Sequence, residues 1–561
     1  MVRIVNAMQP LKGTFCMFKN KYEMRPTTLI ILVSLFFVLC GNIAFFRNVF
    51  AIFPVSSENI VFLLFLAVGL AVLLTFVLTL VTLKYTIKPL LLILLLISSV
   101  TAYFMDNYNI VMDDEMVRSV FATDWPETFD LLSWKMGLYV LLLCVVPSLF
   151  VCRVKLVYPP VKKSVIYKII TCVASVTIIV AMILGASGHF ASFFREHKPL
   201  RYYTNPSYYL YSTGKYVADL LHFSSEKTDM AALGKDARVV KVPGRDNGRP
   251  KLVVLVVGEA ARADHFSLNG YAKKTNPLLQ NENIVDFSKM YSCGTTTAYS
   301  VPCMFSSFTR EDYSPQKGRM YENILDVLTH TKSIEILWRD NNSDSKGVAL
   351  RVPYEDFQTP ATNPVCADGE CRDEGMLAGL DRYVAHHPGK DMLIVLHQKG
   401  NHGPAYYKRY PKEFERFQPV CRTNQLEKCS RKEIANAYDN ALLYTDYFLS
   451  RVISFLRGYD GGYNTAMLYY SDHGESLGEN NIYLHGLPYV IAPDAQTHVA
   501  SLMWLGGGMA EVVDLQKIRQ DKDLHYSHDN LFHTLLGIFN VDTQLYNRDL
   551  DLVSSQETIV L

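Results

Sequence analysis

Before residue 190 the chain carries five long apolar runs, at about 28–48, 59–83, 88–105, 136–153 and 165–186. Crossing a hydrocarbon core of roughly 30 Å takes about 17–25 apolar residues in a helix, and each run is that long. One such run could be a buried core helix, but five in succession could hardly be. The first run follows a polar, basic stretch (Arg3, Lys12, Lys19, Lys21, Arg25) and has no small-residue cleavage site, so it reads as an uncleaved anchor rather than a signal peptide.

Loop charges orient the runs, because Lys and Arg concentrate in cytoplasmic loops. Lys84 and Lys88 lie between runs two and three; Arg153, Lys155, Lys162, Lys163 and Lys168 lie around the connection between four and five. The connection between three and four is acidic instead: Asp106, Asp113, Asp114, Glu115, Asp124, Glu127 and Asp130. A cytoplasmic N-terminus puts every basic loop on one side and everything after residue 190 on the other, which is the periplasm in a double-membraned bacterium. The acidic stretch from Asp106 to Met116 would sit either against lipid headgroups or as a solvated loop obeying the charge rule. Residues 193–223 are aromatic and patchily basic, with tyrosines between Tyr202 and Tyr211 and again at Tyr216, a composition suited to short helices lying at a bilayer interface. A polar linker follows, from about 224 to 249. The formal net charge of +1 gives no electrostatic case for nucleic acid.

Cysteine placement agrees. Of the 11 cysteines, Cys16, Cys40, Cys144, Cys152 and Cys172 lie in or near the apolar half. The other six form close pairs, Cys293 with Cys303, Cys366 with Cys371 and Cys421 with Cys429, and without a CxxC they read as three local disulfides of a non-cytoplasmic domain.

From residue 250, short apolar runs alternate with helical patterns, which implies an α/β domain on a largely parallel sheet. LVVLVV (252–257) is apolar without alternation, as a strand buried on both faces is. IEILW (334–338), MLIVLH (392–397) and TAMLYY (465–470) are further strands, and Ile434–Leu456 has helical spacing. Ligands of open α/β sheets sit beyond the carboxyl ends of the strands. Polar residues gather there: Glu259 after the first strand, Arg339 to Gly347 after the second, His402 after the third, and Asp472, His473 and Glu475 after the fourth, with His485 nearby. Carboxylate and imidazole together suit a zinc site. The segment Cys293-Gly-Thr-Thr-Thr297 resembles a loop turning into a helix N-terminus, where a hydroxyl meets anion-binding N–H groups and, on zinc, could lose its proton and attack phosphorus.

These segments together resemble the bacterial phosphoethanolamine–lipid A transferases, the group that includes the mobile colistin-resistance enzymes, within the alkaline phosphatase and sulfatase superfamily. The resemblance rests on GEAARADHFSLNGY (258–271), SCGTTTAYSVPCMFS (292–306), WRDNNSDSKG (338–347), LHQKGNHGPAYYKRY (396–410) and YYSDHGESLGENNIYLHG (469–486). It implies an α-helical transmembrane domain of five spans (1–190), interfacial helices and a linker (191–249), and an α/β sulfatase-like, alkaline-phosphatase-like periplasmic domain (250–561). It further implies that Glu259, Thr297, Asp472 and His473 bind a catalytic zinc, with Thr297 the nucleophile and Thr295 and Thr296 the competing hydroxyls. Asn342, Lys346, His402, Glu475 and His485 would surround the donor phosphate, with room for a second zinc. Phosphatidylethanolamine would be the donor, lipid A the acceptor, and the product membrane would resist polymyxins. A sulfatase-type hydrolase would need an Arg where Ser300-Val-Pro302-Cys303-Met304 has Met304.

Overall fold

The computed structural model describes residues 22–122, 125–195, 197–225, 230–241 and 247–554. Arg3, Lys12, Lys19, Lys21 and Asp124, with parts of the 224–249 linker, lie outside the described residues. The chain divides into two compact units, one of Met1–Val117 with Leu132–Lys215, the other of Arg118–Leu131 with Tyr216–Leu561.

The first unit is helical. Its long helices are α1 (Pro26–Cys40), α2 (Ile43–Ile52), α3 (Ile60–Val81), α4 (Ile87–Tyr108), α5 (Trp134–Arg153) and α6 (Val161–Gly185). Among the described residues four are long and apolar enough to cross a membrane, or five when the bent pair α1–α2 counts as one span. That pair corrects the expectation of one continuous first run: the axes differ by 57° across the break. Gly41 is a poor helix residue, and the Asn42 side chain donates to the Phe37 carbonyl (2.8 Å), competing with the backbone where the helix would continue.

The second unit is built on a seven-stranded sheet. Its strands are β1 (Lys251–Gly258), β2 (Ile284–Asp286), β3 (Ile334–Asp340), β4 (Tyr354–Asp356), β5 (Asp391–His397), β6 (Asn464–Ser471) and β7 (Ser501–Leu505), in the order β2-β7-β6-β1-β5-β3-β4. β6, β1, β5, β3 and β4 run parallel, while β7 is antiparallel to both neighbours. All eight residues of β1 are buried, with β5 on one side and β6 on the other, which is why its sequence does not alternate. Three helices bear on the site: α7 (Thr297–Met304), α8 (Arg431–Arg457) and α9 (Asp529–Ile538). The 27 residues of α8 begin at a reciprocal capping box between Ser430 and Glu433. The three expected cysteine pairs are disulfide-bonded: Cys293–Cys303, Cys366–Cys371 and Cys421–Cys429.

Candidate active site

Strand register brings the first residues together. Gly258 of β1 pairs with Ser471 of β6, so the next residues, Glu259 and Asp472, leave the sheet side by side. Both are buried, as is His473. The turn after β1 is tight: Ala260 has φ +54°, and the Tyr438 hydroxyl on α8 donates to its carbonyl (2.7 Å) while accepting from the Arg262 N–H (2.9 Å). Gly400, at φ +48°, passes so close that a Cβ there would lie 2.9 Å from the Glu259 carbonyl oxygen. Only glycine fits that approach.

Asp472 Oδ1 accepts from the Ala260 (3.1 Å) and His473 (2.7 Å) N–H groups, while its buried Oδ2 accepts no hydrogen bond. His473 Nδ1 faces the Gly474 carbonyl (2.9 Å), which assigns its proton there and leaves Nε2 bare. Burial pushes the His473 imidazole below its ordinary pKa. One ligand atom each from Glu259, Asp472 and His473 lies within 4.8 Å of the others. Two carboxylates that close repel by about 3.5 kcal/mol at an effective dielectric of about 20. Oxygen and imidazole donors around that charge fit a divalent cation.

Thr297 opens α7, with Thr296 as its N-cap. Its Oγ1 donates to Glu259 Oε2 (3.1 Å) and lies 3.2 Å from His473 Nε2. Thr295 Oγ1 donates instead to the Leu487 carbonyl (2.7 Å), and Thr296 Oγ1 is buried without a partner.

A second cluster adjoins the first. Asn342 Nδ2 donates to Glu259 Oε2 (2.9 Å) and to the Gln398 carbonyl (3.0 Å). Ser343 Oγ donates to Asn342 Oδ1 (3.1 Å) and accepts from Lys346 Nζ (2.5 Å), so Lys346, at φ +51°, joins the same chain of bonds. Glu475 Oε2 pairs with His485 Nδ1 (2.7 Å), and the His485 ring lies 4.1 Å from that of His473 and 6.3 Å from that of His402. His473, Glu475 and His485 form a second group able to hold a cation. Burial, then the Arg409 charge, holds His402 well below its ordinary pKa, so it is neutral.

Several contributors carried no sequence signal. Tyr406 donates to Glu475 Oε1, and nothing in Tyr406-Tyr407 distinguishes the two rings. Asp373 accepts from the Lys399 (2.8 Å) and Gly400 (3.2 Å) N–H groups and from Asn341 Nδ2 (2.8 Å), holding the loop beneath Glu259. Asp130 pairs with Arg409 (2.7 Å), whose Nε donates to the His402 carbonyl (2.7 Å). Burial depresses the His528 pKa to about 4.

The sulfatase family model matches residues 251–541, and that for phosphoethanolamine transferase EptA/EptB matches residues 70–221. The chain is 42% identical over 528 residues to phosphatidylethanolamine transferase Mcr-2 of Escherichia coli, covering 93% of this chain and 96% of the relative. The chain belongs to the phosphoethanolamine transferase family. It is also 36% identical to phosphoethanolamine transferase EptA of Escherichia coli K12, over 94% of this chain and 96% of that one. The integral membrane lipooligosaccharide phosphoethanolamine transferase A of Neisseria meningitidis superposes with a TM-score of 0.90 at 33% identity, over 95% of this chain and 99% of that structure. The transferase therefore has the expected architecture, a helical membrane region followed by a sulfatase-like α/β domain. It is an inner-membrane protein with its catalytic domain in the periplasm, as the loop charges indicate.

Proposed function

We propose that this transferase moves phosphoethanolamine from phosphatidylethanolamine to a phosphate of lipid A through a covalent intermediate on Thr297. The supporting observation is the Thr297 hydroxyl, 3.1 Å from Glu259 Oε2 and 3.2 Å from His473 Nε2, at the head of a helix. Zinc held by Glu259, Thr297, Asp472 and His473 would supply a Lewis acid that lowers the hydroxyl's pKa. Thr297 Oγ1 bonds to the donor phosphorus, the bond from phosphorus to the glycerol oxygen breaks, and diacylglycerol leaves after taking up a proton. An oxygen of the lipid A phosphate then bonds to the same phosphorus, the bond from phosphorus to Thr297 Oγ1 breaks, and that oxygen takes up a proton to restore the hydroxyl.

Lys346 offsets charge on the phosphoryl oxygens, and Asn342, His402 and the Glu475–His485 pair orient the group. The second cluster is also where a further zinc would bind. On this reading residues 1–190 are a five-span transmembrane domain, 191–249 interfacial helices and a linker, and 250–561 the periplasmic catalytic domain. Adding an ethanolamine cation to an anionic headgroup weakens the attraction of cationic peptides, hence polymyxin resistance. Mass spectrometry of lipid A from cells with and without the chain tests the transfer. Enzyme trapped with donor should carry phosphoethanolamine on the peptide containing Thr297. Unmodified lipid A, or a group trapped on another residue, overturns the reading.

A further inference from the structure

His528 belongs to no part of the reaction described above, yet it touches three of the segments that build the site. Its backbone N–H donates to the Tyr291 carbonyl (3.0 Å), pinning it at the head of α9, and its side chain is fully buried. Nε2 faces the Ser471 carbonyl (2.9 Å), which can only accept, so the proton sits on Nε2. Nδ1 receives the Cys293 N–H (3.1 Å) and lies 3.3 Å from Ser300 Oγ. Ser300 Oγ donates in turn to the Asp472 carbonyl (2.5 Å).

The geometry is that of a two-ended brace. Cys293 opens the loop that leads into Thr297, and Ser300 lies one turn further along α7. Ser471 is the last residue of β6, and Asp472 follows it. The imidazole is rigid, with its two nitrogens on opposite sides, one donating and one accepting. It stays neutral because burial holds its pKa low. A protonated ring would carry a second N–H directed at the Cys293 N–H.

We propose that His528 is a positioning residue for the transfer reaction: its neutral imidazole sets the distance between the Thr297 helix and the strand end that carries Asp472 and His473. The proposal rests on Thr297 being the nucleophile. It predicts that losing the brace slows the step at phosphorus more than it weakens donor binding, because the brace touches the segments carrying Thr297 and Asp472 and not Asn342, Lys346, His402 or His485.

The test uses the full-length protein in detergent with phosphatidylethanolamine as donor. His528→Phe keeps a planar ring and removes both hydrogen bonds. His528→Asn keeps an acceptor near the Nδ1 position and loses the Ser471 contact. Ser300→Ala removes the bond to the Asp472 carbonyl with little change in volume. Supporting residues one step removed from metal ligands change affinity or activity by about 10- to 100-fold. On that scale His528→Phe should lower kcat by 10- to 100-fold with donor KM within about 3-fold of wild type. Zinc affinity, read by chelator competition, should weaken by about 10-fold. His528→Asn should recover part of the kcat loss, and Ser300→Ala should lower kcat by a smaller factor. Thermal melting of each variant fixes the folded fraction to which rates are normalised. If His528→Phe does not fold, His528→Asn and Ser300→Ala carry the same kcat-against-KM test.

A folded His528→Phe with wild-type kcat and zinc affinity overturns the proposal. So does a loss that appears in KM alone, or one that His528→Asn does not relieve at all. Failure of the underlying reading looks different: wild-type protein would then carry no phosphoethanolamine on Thr297, whatever His528 does.

Discussion

The two clusters of the site are held in different ways. Glu259 and Asp472 are the first residues past two paired parallel strands, and the Gly258–Ser471 register sets their separation. Lys346, His402 and His485 arrive on loops, and side-chain bonds fix them: Ser343 for Lys346, Arg409 for the His402 backbone, Glu475 for His485. A sheet register tolerates local substitution, because a slip would move every residue of a buried strand. A loop brace depends on single side chains. The strand-end cluster should therefore respond to mutation mainly through its chemistry, and the loop cluster through its geometry.

The largest effect expected is in the first cluster. Thr297→Ala should fold and still bind zinc through Glu259, Asp472 and His473, while turnover falls by roughly 10,000-fold or more. Thr297→Ser should keep part of the activity. Thr295→Ala and Thr296→Ala should lose far less turnover, since Thr295 already donates to Leu487 and Thr296 Oγ1 makes no hydrogen bond to Glu259 or His473. Near-wild-type transfer by Thr297→Ala would break the contrast at its strongest point.

Next comes the charge of that cluster. With zinc removed by chelation, wild-type protein buries two carboxylates within 4.8 Å of each other. Asp472→Asn keeps an acceptor for the Ala260 and His473 N–H groups and removes one charge. It should be more stable than wild type in chelator, by about 1–3 kcal/mol, and less stable in excess zinc. Denaturation with and without chelator reads both signs. The same ordering in both conditions would mean that no cation offsets the carboxylates.

The loop cluster should give a smaller loss. Tyr406→Phe removes the hydroxyl bonded to Glu475 Oε1 and takes away neither of the N–H groups, of Ala260 and His473, that donate to Asp472 Oδ1. Turnover should fall by about 10-fold, the usual scale for a lost supporting bond, with zinc bound in the first cluster unchanged. Loss of that zinc in Tyr406→Phe would show that the two clusters are not separable.

What could be read in the amino-acid sequence follows the same division. Strand ends announce themselves: an apolar run stops, and a carboxylate or imidazole follows, as at Val257-Gly258-Glu259 and Tyr470-Ser471-Asp472-His473. The braces do not, because each joins residues far apart in the chain that only the fold brings together. Tyr406 and Glu475 are 69 residues apart, and His528 and Ser471 are 57 apart. Local pattern also left three threonines competing in Thr295-Thr296-Thr297. What separates them in space is that Thr295 turns to Leu487 while Thr297 starts the helix. The break in the first apolar run was hidden for a related reason: Gly41-Asn42 is short, and composition on either side stays apolar.

The smallest effect expected belongs to neither cluster and serves as their control. His533 on α9 is buried, with 6% of its surface exposed, and its Nδ1 accepts the Asn547 N–H (3.2 Å). Burial lowers its pKa from the ordinary 6.5 to about 4. Between those values the unfolded chain binds the proton and the folded chain does not, so stability rises with pH through this window and is lost as pH falls below 6.5. At pH 5 the group should lower stability by about 2 kcal/mol relative to pH 8. His533→Asn retains an acceptor for Asn547 and cannot titrate, so its stability should vary less with pH, and the gap to wild type should narrow or reverse at pH 5. Its kcat at pH 8 should match wild type, because it touches no residue of either cluster. An unchanged pH dependence of unfolding in His533→Asn would move the acid sensitivity to other groups, with the buried imidazole of His528 the first to examine.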